Sequence, residues 1–152
     1  PSFDVKENMS VEIVEDEGYA SQGAYKLVEA IKSFGLNLEN KTTADIGCSN
    51  GGFTDVLLRN NAKSVVAVDV AECDLPERIL RDKRVQFIQQ NARDLTLDNP
   101  VDFVCSDVSF ISLPVAGLIS GAGLFFISAR TFSGISSKSC MLRWGRRMVF
   151  TP

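Results

Sequence analysis

Hydrophobic positions along the chain follow two different spacings. Between residues 21 and 35, five apolar side chains recur at helical spacing: Tyr25, Leu27, Val28, Ile31 and Phe34. Ser21 is the predicted N-cap of this first helix and Gly35 its predicted end. Short, nearly continuous apolar runs follow in the segments KTTADIG, SVVAVDV, VQFIQQ, VDFVCSDV and GLFFIS. Such runs are typical of strands that are buried on both faces of a sheet.

Helical patterns separate these strands. They are GGFTDVLLRNN, LPERILRDK and SLPVAGLIS, the last with Pro114 in its first turn. Alternating strands and helices predict an α/β fold with a mostly parallel sheet and a ligand site at the carboxyl ends of the central strands. We expect an acidic arm over residues 1–18, one domain over 19–128, and a divergent basic tail over 129–152.

Composition narrows the class of protein. The 152 residues, with 45% hydrophobic and 23% charged side chains, fit a single globular domain. No apolar run is long enough to span a membrane and no export signal is evident, so the expected location is the cytoplasm, without membrane contact. Four scattered cysteines and no histidine argue against a metal site or a disulfide framework, and they predict small buried side chains at Cys48, Cys73, Cys105 and Cys140.

Charge is unevenly distributed along the chain. The net charge is −3, yet residues 128–152 hold five basic side chains and no acidic one, which leaves 11 basic against 19 acidic residues before them. The tail could contact phosphates, or it could be a solvated or disordered end.

The junction DIGCSNGGFTDVLL is the strongest candidate for chemistry. Gly47, Gly51 and Gly52 lie between a strand and a helix, where backbone N–H groups and the helix dipole can face a ligand. Asp69 ends the next strand, where a carboxylate can accept two ribose hydroxyls, so the pattern predicts a nucleoside ligand. The alternative is a tight turn in which Asp69 only caps a loop.

Five segments together carry a family resemblance: YASQGAYKL, ADIGCSNGGFTDVLL, VVAVDV, NARDL and DVSFISL. From Tyr19 to Leu113 the chain resembles the haemolysin A-like, FtsJ-type ribosomal RNA 2′-O-methyltransferases, enzymes that use S-adenosylmethionine. The resemblance implies a Rossmann-like methyltransferase fold, with Asp69 on the cofactor ribose and Asn91 and Ala92 beside its adenine. The cofactor site predicted in this way comprises Asp45, Gly47, Cys48, Ser49, Gly51, Gly52, Phe53, Asp69, Val70, Asn91, Ala92 and Asp107.

The resemblance also implies a catalytic group. The family's lysine on the first helix and aspartate after the fourth strand correspond to Lys26 and Asp107. Taken alone, Lys26 could be a solvated helix residue and Asp107 a helix N-cap. A second family pair, a lysine after the fifth strand and a later glutamate, is missing, because SARTFSG places Ala129 or Arg130 at the lysine position. Arginine stays protonated and is a poor base.

The family pattern fades from Pro114 onward, so we expect a sheet that is incomplete or divergent at its C-terminal end. Its fifth strand would then form an exposed edge that favours self-association. The partner implied by the resemblance is ribosomal RNA or a ribosomal subunit, bound weakly by this acidic chain alone. Two alternatives to an RNA methyltransferase are a noncatalytic cofactor- or RNA-binding module and a nicotinamide-dependent oxidoreductase.

Overall fold

A single sheet organises the computed structural model of this chain. The structure describes residues 18–107 in full and residues 119–128, 140–144 and 147–151 as backbone strands. Within these ranges, seven strands pair in the order β3-β2-β1-β4-β5-β6-β7. They are β1 (Thr42–Ile46), β2 (Ser64–Asp69), β3 (Val85–Gln89), β4 (Val101–Ser106), β5 (Ile119–Ser128), β6 (Cys140–Trp144) and β7 (Arg147–Thr151).

Three helices connect or precede the first strands: α1 (Ala24–Phe34), α2 (Gly52–Arg59) and α3 (Glu77–Leu80). Each lies within a segment whose periodicity predicts a helix. None of the helices in the described ranges has both the length and the apolar character needed to cross a bilayer.

Strands β1 to β5 are parallel, which confirms the predicted α/β class. Strand β1 lies between β2 and β4, and four of its five residues are buried. One face of the sheet packs against α1 and α2 through a core that includes Leu27, Val56 and Phe103. The opposite face buries a second cluster around Ile46 and Val104. Burial on both faces explains the nearly continuous apolar runs in these strands.

The C-terminal part of the sheet differs from the sequence prediction. The predicted helix SLPVAGLIS lies outside the described residues except for Ile119 and Ser120, and these two begin β5. Strand β6 pairs antiparallel with β5, and β7 pairs antiparallel with β6. The expectation of an exposed β5 edge is therefore wrong, because β6, the next strand along the chain, supplies its hydrogen-bond partners. The self-association inferred from that edge loses its structural basis.

Helix α1 begins and ends at glycines. Its N-cap is Gly23, without a side-chain hydrogen bond, so the predicted N-cap at Ser21 is wrong by two residues. Gly35 ends the helix as predicted, in a left-handed conformation (φ 60°), while the next amide donates to the Ile31 carbonyl oxygen at 3.0 Å. The helix face that is fully buried carries Ala24, Leu27 and Ala30, whereas Tyr25 remains 49% exposed. Small alanine side chains allow the helix to approach α2 closely.

Two glycines of the DIGCSNGG junction are required by packing. Gly51 has a left-handed backbone (φ 78°), and a Cβ atom there would lie 2.9 Å from Leu75 Cδ2 and 3.0 Å from Ile79 Cδ1. A Cβ atom on Gly52 would lie 2.2 Å from Ser21 Oγ and 3.3 Å from the Ala24 nitrogen. These glycines therefore let the start of α2 pack against the start of α1 and against the segment that contains α3.

Substitution of Gly51 by alanine should destabilise the fold more than the same change at Gly35. Both positions have positive φ, but no atom lies within 4 Å of a Cβ on Gly35. We expect Gly35→Ala to cost about 1–2 kcal/mol from backbone strain. Gly51→Ala should add about 1–3 kcal/mol from overpacking. Urea denaturation of both variants measures the difference, and equal losses would show that the contacts of Gly51 do not constrain the fold.

Candidate active site

Acidic side chains collect at the carboxyl edge of the sheet. Asp45 is the fourth residue of β1, Asp69 is the last residue of β2, and Asp107 follows the last residue of β4. These three strands are parallel neighbours, so their carboxyl ends meet at one edge. This is the location in which open parallel sheets bind their ligands.

The turn after β1 is held mainly by its own backbone. Gly47 (φ 82°) and Cys48 both donate their N–H groups to the carbonyl oxygen of Val68, at 2.8 and 3.1 Å. The Ser49 N–H donates to Asp69 Oδ2 at 2.9 Å, and the Gly51 N–H donates to the Cys48 carbonyl at 2.8 Å. Three of these amides therefore fix the turn against β2 and the fourth closes the turn on itself. The N–H groups of Gly47 and Gly51 thus donate within the protein, contrary to the expectation that they face a ligand. In this turn, Ser49 is exposed while Gly51, Gly52 and Phe53 are buried.

A buried carboxylate lies beneath the turn. Asp45 is 1% exposed, and its Oδ2 accepts a hydrogen bond from Thr54 Oγ1 at 2.7 Å. The backbone of Thr54, near the start of α2, also hydrogen-bonds to this carboxylate. Asp45 thus occupies the anion position that the N-terminus of a helix favours. Burial raises the pKa of Asp45 to about 7, although the bonds from Thr54 act in the opposite direction.

Asp69 joins two loops at the sheet edge. Besides the Ser49 amide on Oδ2, its Oδ1 accepts the Ala71 N–H at 3.1 Å. Asp69 therefore does cap a loop, as the structural alternative proposed. The side chain is half-buried, and a carboxylate oxygen that accepts one N–H retains a further lone pair for a hydroxyl. Val70, directly beside it, is 69% exposed and offers apolar surface at this edge.

The loop after β3 holds the residues predicted beside adenine. Asn91 is exposed, and its side-chain Oδ1 accepts the Arg93 N–H at 3.0 Å, which closes a local turn. Ala92 is partly buried and packs against the second core cluster. The structure therefore places both residues at the carboxyl end of β3, on the same sheet edge as Asp69.

Lys26 and Asp107 meet at this edge although 81 residues separate them in sequence. Lys26 Nζ donates to Asp107 Oδ2 at 2.6 Å, with 30% and 21% of the two side chains exposed. Asp107 Oδ1 is buried and accepts no hydrogen bond from any residue in the described ranges. An ion pair that leaves one carboxylate oxygen unused is a poor structural solution, because a buried acceptor without a donor costs free energy.

Sequence reasoning missed a second carboxylate that positions Lys26. Asp55, 4% exposed on α2, accepts hydrogen bonds from the Ala20 N–H at 2.9 Å and from Arg78 at 2.7 Å. Arg59 pairs with the same carboxylate at 3.2 Å and stacks over the ring of Tyr19. The segment that enters α1 is thereby attached to α2 and α3. The signal in the sequence is an acid within the apolar run of GGFTDVLL, because a buried carboxylate needs hydrogen-bond donors or a cation.

Two cysteines that are 25 residues apart in sequence are neighbours at the same edge. Cys48 Sγ and Cys73 Sγ lie 3.7 Å apart. With Asp69 they form a cluster whose ligand atoms all lie within 4.8 Å of one another. Cys48 and Cys105 are buried as predicted, but Cys73 is only half-buried, and the side chain of Cys140 lies outside the described residues. Sequence spacing gave no sign of this cluster, because the two loops meet only through the pairing of β1 with β2.

Replacement of Asp45 by asparagine should remove part of the pH dependence of stability. In the folded protein Asp45 binds its proton up to about pH 7, whereas an unfolded chain releases it at about pH 4. The folded state binds more protons in this interval, so the Asp45 contribution to the free energy of unfolding falls as pH rises from about 4 to about 7.

The expected loss is a few kcal/mol at most, because one pKa unit corresponds to about 1.4 kcal/mol. Urea denaturation at several pH values should show this decline in the unaltered protein and not in Asp45→Asn, which can still accept the Thr54 bond. Parallel pH profiles of the two proteins would contradict the assignment. Other titrating groups contribute equally to both and cancel in the comparison.

This chain is similar to known methyltransferases and hemolysins. The family model described as FtsJ-like methyltransferase matches residues 19–122. Hemolysin A of Brachyspira hyodysenteriae is 40% identical over 114 residues, covering 72% of this chain and 48% of that protein. The 16S/23S rRNA (cytidine-2′-O)-methyltransferase TlyA of Mycobacterium tuberculosis is 39% identical over 119 residues, covering 74% of this chain and 44% of that protein.

A solved structure supports the same grouping. The crystal structure of a predicted hemolysin from Lactococcus lactis superimposes with a TM-score of 0.69 at 38% identity, covering 74% of this chain and 59% of that chain. The chain spans about half the length of the curated relatives it matches. Because the family model covers more than half of the sequence, this chain belongs to the FtsJ-like methyltransferase family.

Proposed function

We propose that this domain binds S-adenosylmethionine and methylates a ribose 2′-hydroxyl in ribosomal RNA. The observation that carries the proposal is the Lys26–Asp107 ion pair at the carboxyl edge, with Asp107 Oδ1 free of protein partners in the described part of the chain. The name of the mycobacterial relative, a cytidine-2′-O-methyltransferase of 16S and 23S rRNA, supports the reaction and the substrate class.

The residues at the sheet edge fit the cofactor. Asp69 retains acceptor capacity for ribose hydroxyls, and Val70 offers exposed apolar surface next to it. Asn91 and Ala92 lie at the end of the adjacent strand, where they would flank the adenine. Gly47 and Asp45 would shape the turn beside the methionine part. When bound, the cofactor supplies an electrophilic methyl group on a sulfonium.

The ion pair suits activation of a ribose hydroxyl. Asp107 Oδ1 can accept the hydrogen bond of a 2′-hydroxyl that enters the site, and this contact would orient the oxygen. The Lys26 ammonium, held by Oδ2 at 2.6 Å, would stabilise negative charge that develops on the same oxygen. Asp107 would take the proton as the oxygen reacts, which is general-base catalysis.

The missing second pair favours one alternative. Ala129 and Arg130, at the family's second lysine position, lie outside the described residues, and neither side chain can act as that lysine. A noncatalytic module that binds the cofactor is therefore the second candidate. Membership of a methyltransferase family gives no support to a nicotinamide-dependent oxidoreductase. The net charge of −3 supports only weak binding of RNA by this chain alone.

The first experiment is calorimetric titration of the purified protein with S-adenosylmethionine, with a nicotinamide dinucleotide as the comparison ligand. We expect saturable binding of the first and none of the second, because the glycine spacing and the acidic edge suit a nucleoside with a cationic group. Failure of a folded sample to bind S-adenosylmethionine would contradict the proposal. Binding followed by no methyl transfer to ribosomal particles would favour the noncatalytic module.

Variants of Lys26 and Asp69 should separate catalysis from binding. Lys26→Ala should leave cofactor affinity unchanged and lower the methyl-transfer rate by about 10²–10³-fold, because the charge that stabilises the reacting oxygen is lost. Asp69→Ala should weaken cofactor binding by about 100-fold, because hydrogen bonds to a charged carboxylate are lost together with the anchor of Ser49. Lys32→Ala, an exposed lysine in the last turn of the same helix, is the matched control. Equal loss of cofactor affinity in Lys26→Ala and Asp69→Ala would contradict these roles.

A further inference from the structure

We propose that Cys48, Cys73 and Asp69 form a binding site for a thiophilic divalent metal ion such as Zn²⁺, and that the bound metal excludes the cofactor. The metal site is independent of the proposed function, whereas the exclusion rests on it, because Asp69 is also the residue assigned to the cofactor ribose. The spacing of the cysteines in the sequence predicts no metal site. The proposal therefore rests on the distances between the ligand atoms in the folded protein.

The distance between the two sulfur atoms suits a tetrahedral metal. Zinc–thiolate bonds are about 2.3 Å long, so two sulfurs at the tetrahedral angle lie about 3.8 Å apart. Cys48 Sγ and Cys73 Sγ are separated by 3.7 Å without a metal. The two loops would therefore bind an ion with little movement, whereas a disulfide would require the sulfurs to approach to about 2.05 Å.

The third ligand of the proposed site is Asp69. A carboxylate oxygen of Asp69 lies within 4.8 Å of both sulfurs, and carboxylates bind zinc at about 2.0–2.2 Å. Small rotations of the Asp69 side chain would bring an oxygen into the coordination sphere. Three protein ligands leave a fourth position for water, which is the arrangement of an open zinc site.

The three ligands differ in burial, and this difference allows a metal ion to reach the site from solvent. Cys48 is buried beneath the turn, while Cys73 and Asp69 are half-buried and border solvent. An ion that enters from solvent would therefore meet Cys73 and Asp69 before it reaches the Cys48 sulfur.

A metal ion bound at this site would block binding of the cofactor at the sheet edge. The Ser49 and Ala71 amides already hold one position on each Asp69 oxygen. A metal bound to the same carboxylate would take the acceptor capacity that ribose hydroxyls need. It would also tie the turn after β1 to the loop after β2 through Cys48 and Cys73. Metal and cofactor are therefore competitors for Asp69.

Titration with Co²⁺ tests the site directly, because cobalt bound to thiolates absorbs through charge transfer and its visible bands report tetrahedral geometry. The reduced protein, kept in a phosphine reductant so that no disulfide forms, should bind one equivalent with a thiolate charge-transfer band that added Zn²⁺ displaces. Absence of that band in the folded, reduced protein would overturn the proposal.

Variants assign the ligands. Cys73→Ser should weaken metal binding by more than about 100-fold, beyond what loss of a ligand's hydrogen-bond partner costs. At saturating Co²⁺ its charge-transfer band should fall to about half, because only the Cys48 thiolate remains. Asp69→Asn should weaken binding by about tenfold and retain the band, because both thiolates remain. Cys105→Ser, at a buried cysteine outside the cluster, is the control and should bind as the unaltered protein does. Since Cys73 is half-buried, its replacement should fold even where Cys48→Ser does not. Unchanged binding by Cys73→Ser would refute the site.

Competition distinguishes this proposal from the proposed function. In calorimetry, Zn²⁺ at saturation should weaken S-adenosylmethionine binding by at least about tenfold, and a chelator should restore it. Simultaneous binding of both would overturn the exclusion. Metal binding by a protein that never binds the cofactor would leave the site standing and remove the proposed function instead.

Discussion

The hydrogen bonds between Thr54 and the buried carboxylate of Asp45 are the constraint on which this edge of the molecule depends. Asp45 lies in the central strand, and Thr54 lies in the first turn of α2, so the contact sets where that helix begins. A carboxylate without water is costly unless donors surround it. The burial that raises its pKa to about 7 shows that the compensation is incomplete. Burial of this carboxylate costs free energy, but its contact with Thr54 fixes the turn after β1.

The same constraint extends to the reactive pair. Once the start of α2 is fixed, Gly52 allows the start of α1 to lie against it, near Ser21 and the Ala24 nitrogen. Asp55 then attaches the segment before α1 through the Ala20 amide and Arg78. These contacts bring Lys26 to Asp107. The short Lys26–Asp107 distance therefore depends on the packing of the start of α1 against the start of α2. Neither α1 alone nor β4 alone would bring the two side chains together.

The main role of the turn after β1 is structural. Four of its amides donate to Val68, Asp69 or Cys48, so the glycines do not simply provide free donors for a ligand. What remains available at the edge is the carboxylate of Asp69, the exposed side chain of Val70 and Asp107 Oδ1, which accepts no hydrogen bond from the residues that the structure describes. The proposed cofactor site and the proposed metal site share Asp69 because that carboxylate is where the two loops meet.

The sequence by itself determined the α/β class, the bounds of β1 to β4 to within a residue or two, and the family. These follow from the spacing of apolar residues and from short motifs, which are local properties of the chain. Tertiary structure alone decided that Asp55 clamps the entry to α1, that Cys48 lies beside Cys73, and that β6 covers the edge of β5. Each of these contacts joins segments more than 10 residues apart. A local sequence pattern does not show which separate segments become neighbours when the strands pair. The resemblance named Lys26 and Asp107, but only the tertiary structure, which packs the start of α1 against the start of α2, places their charged atoms in contact.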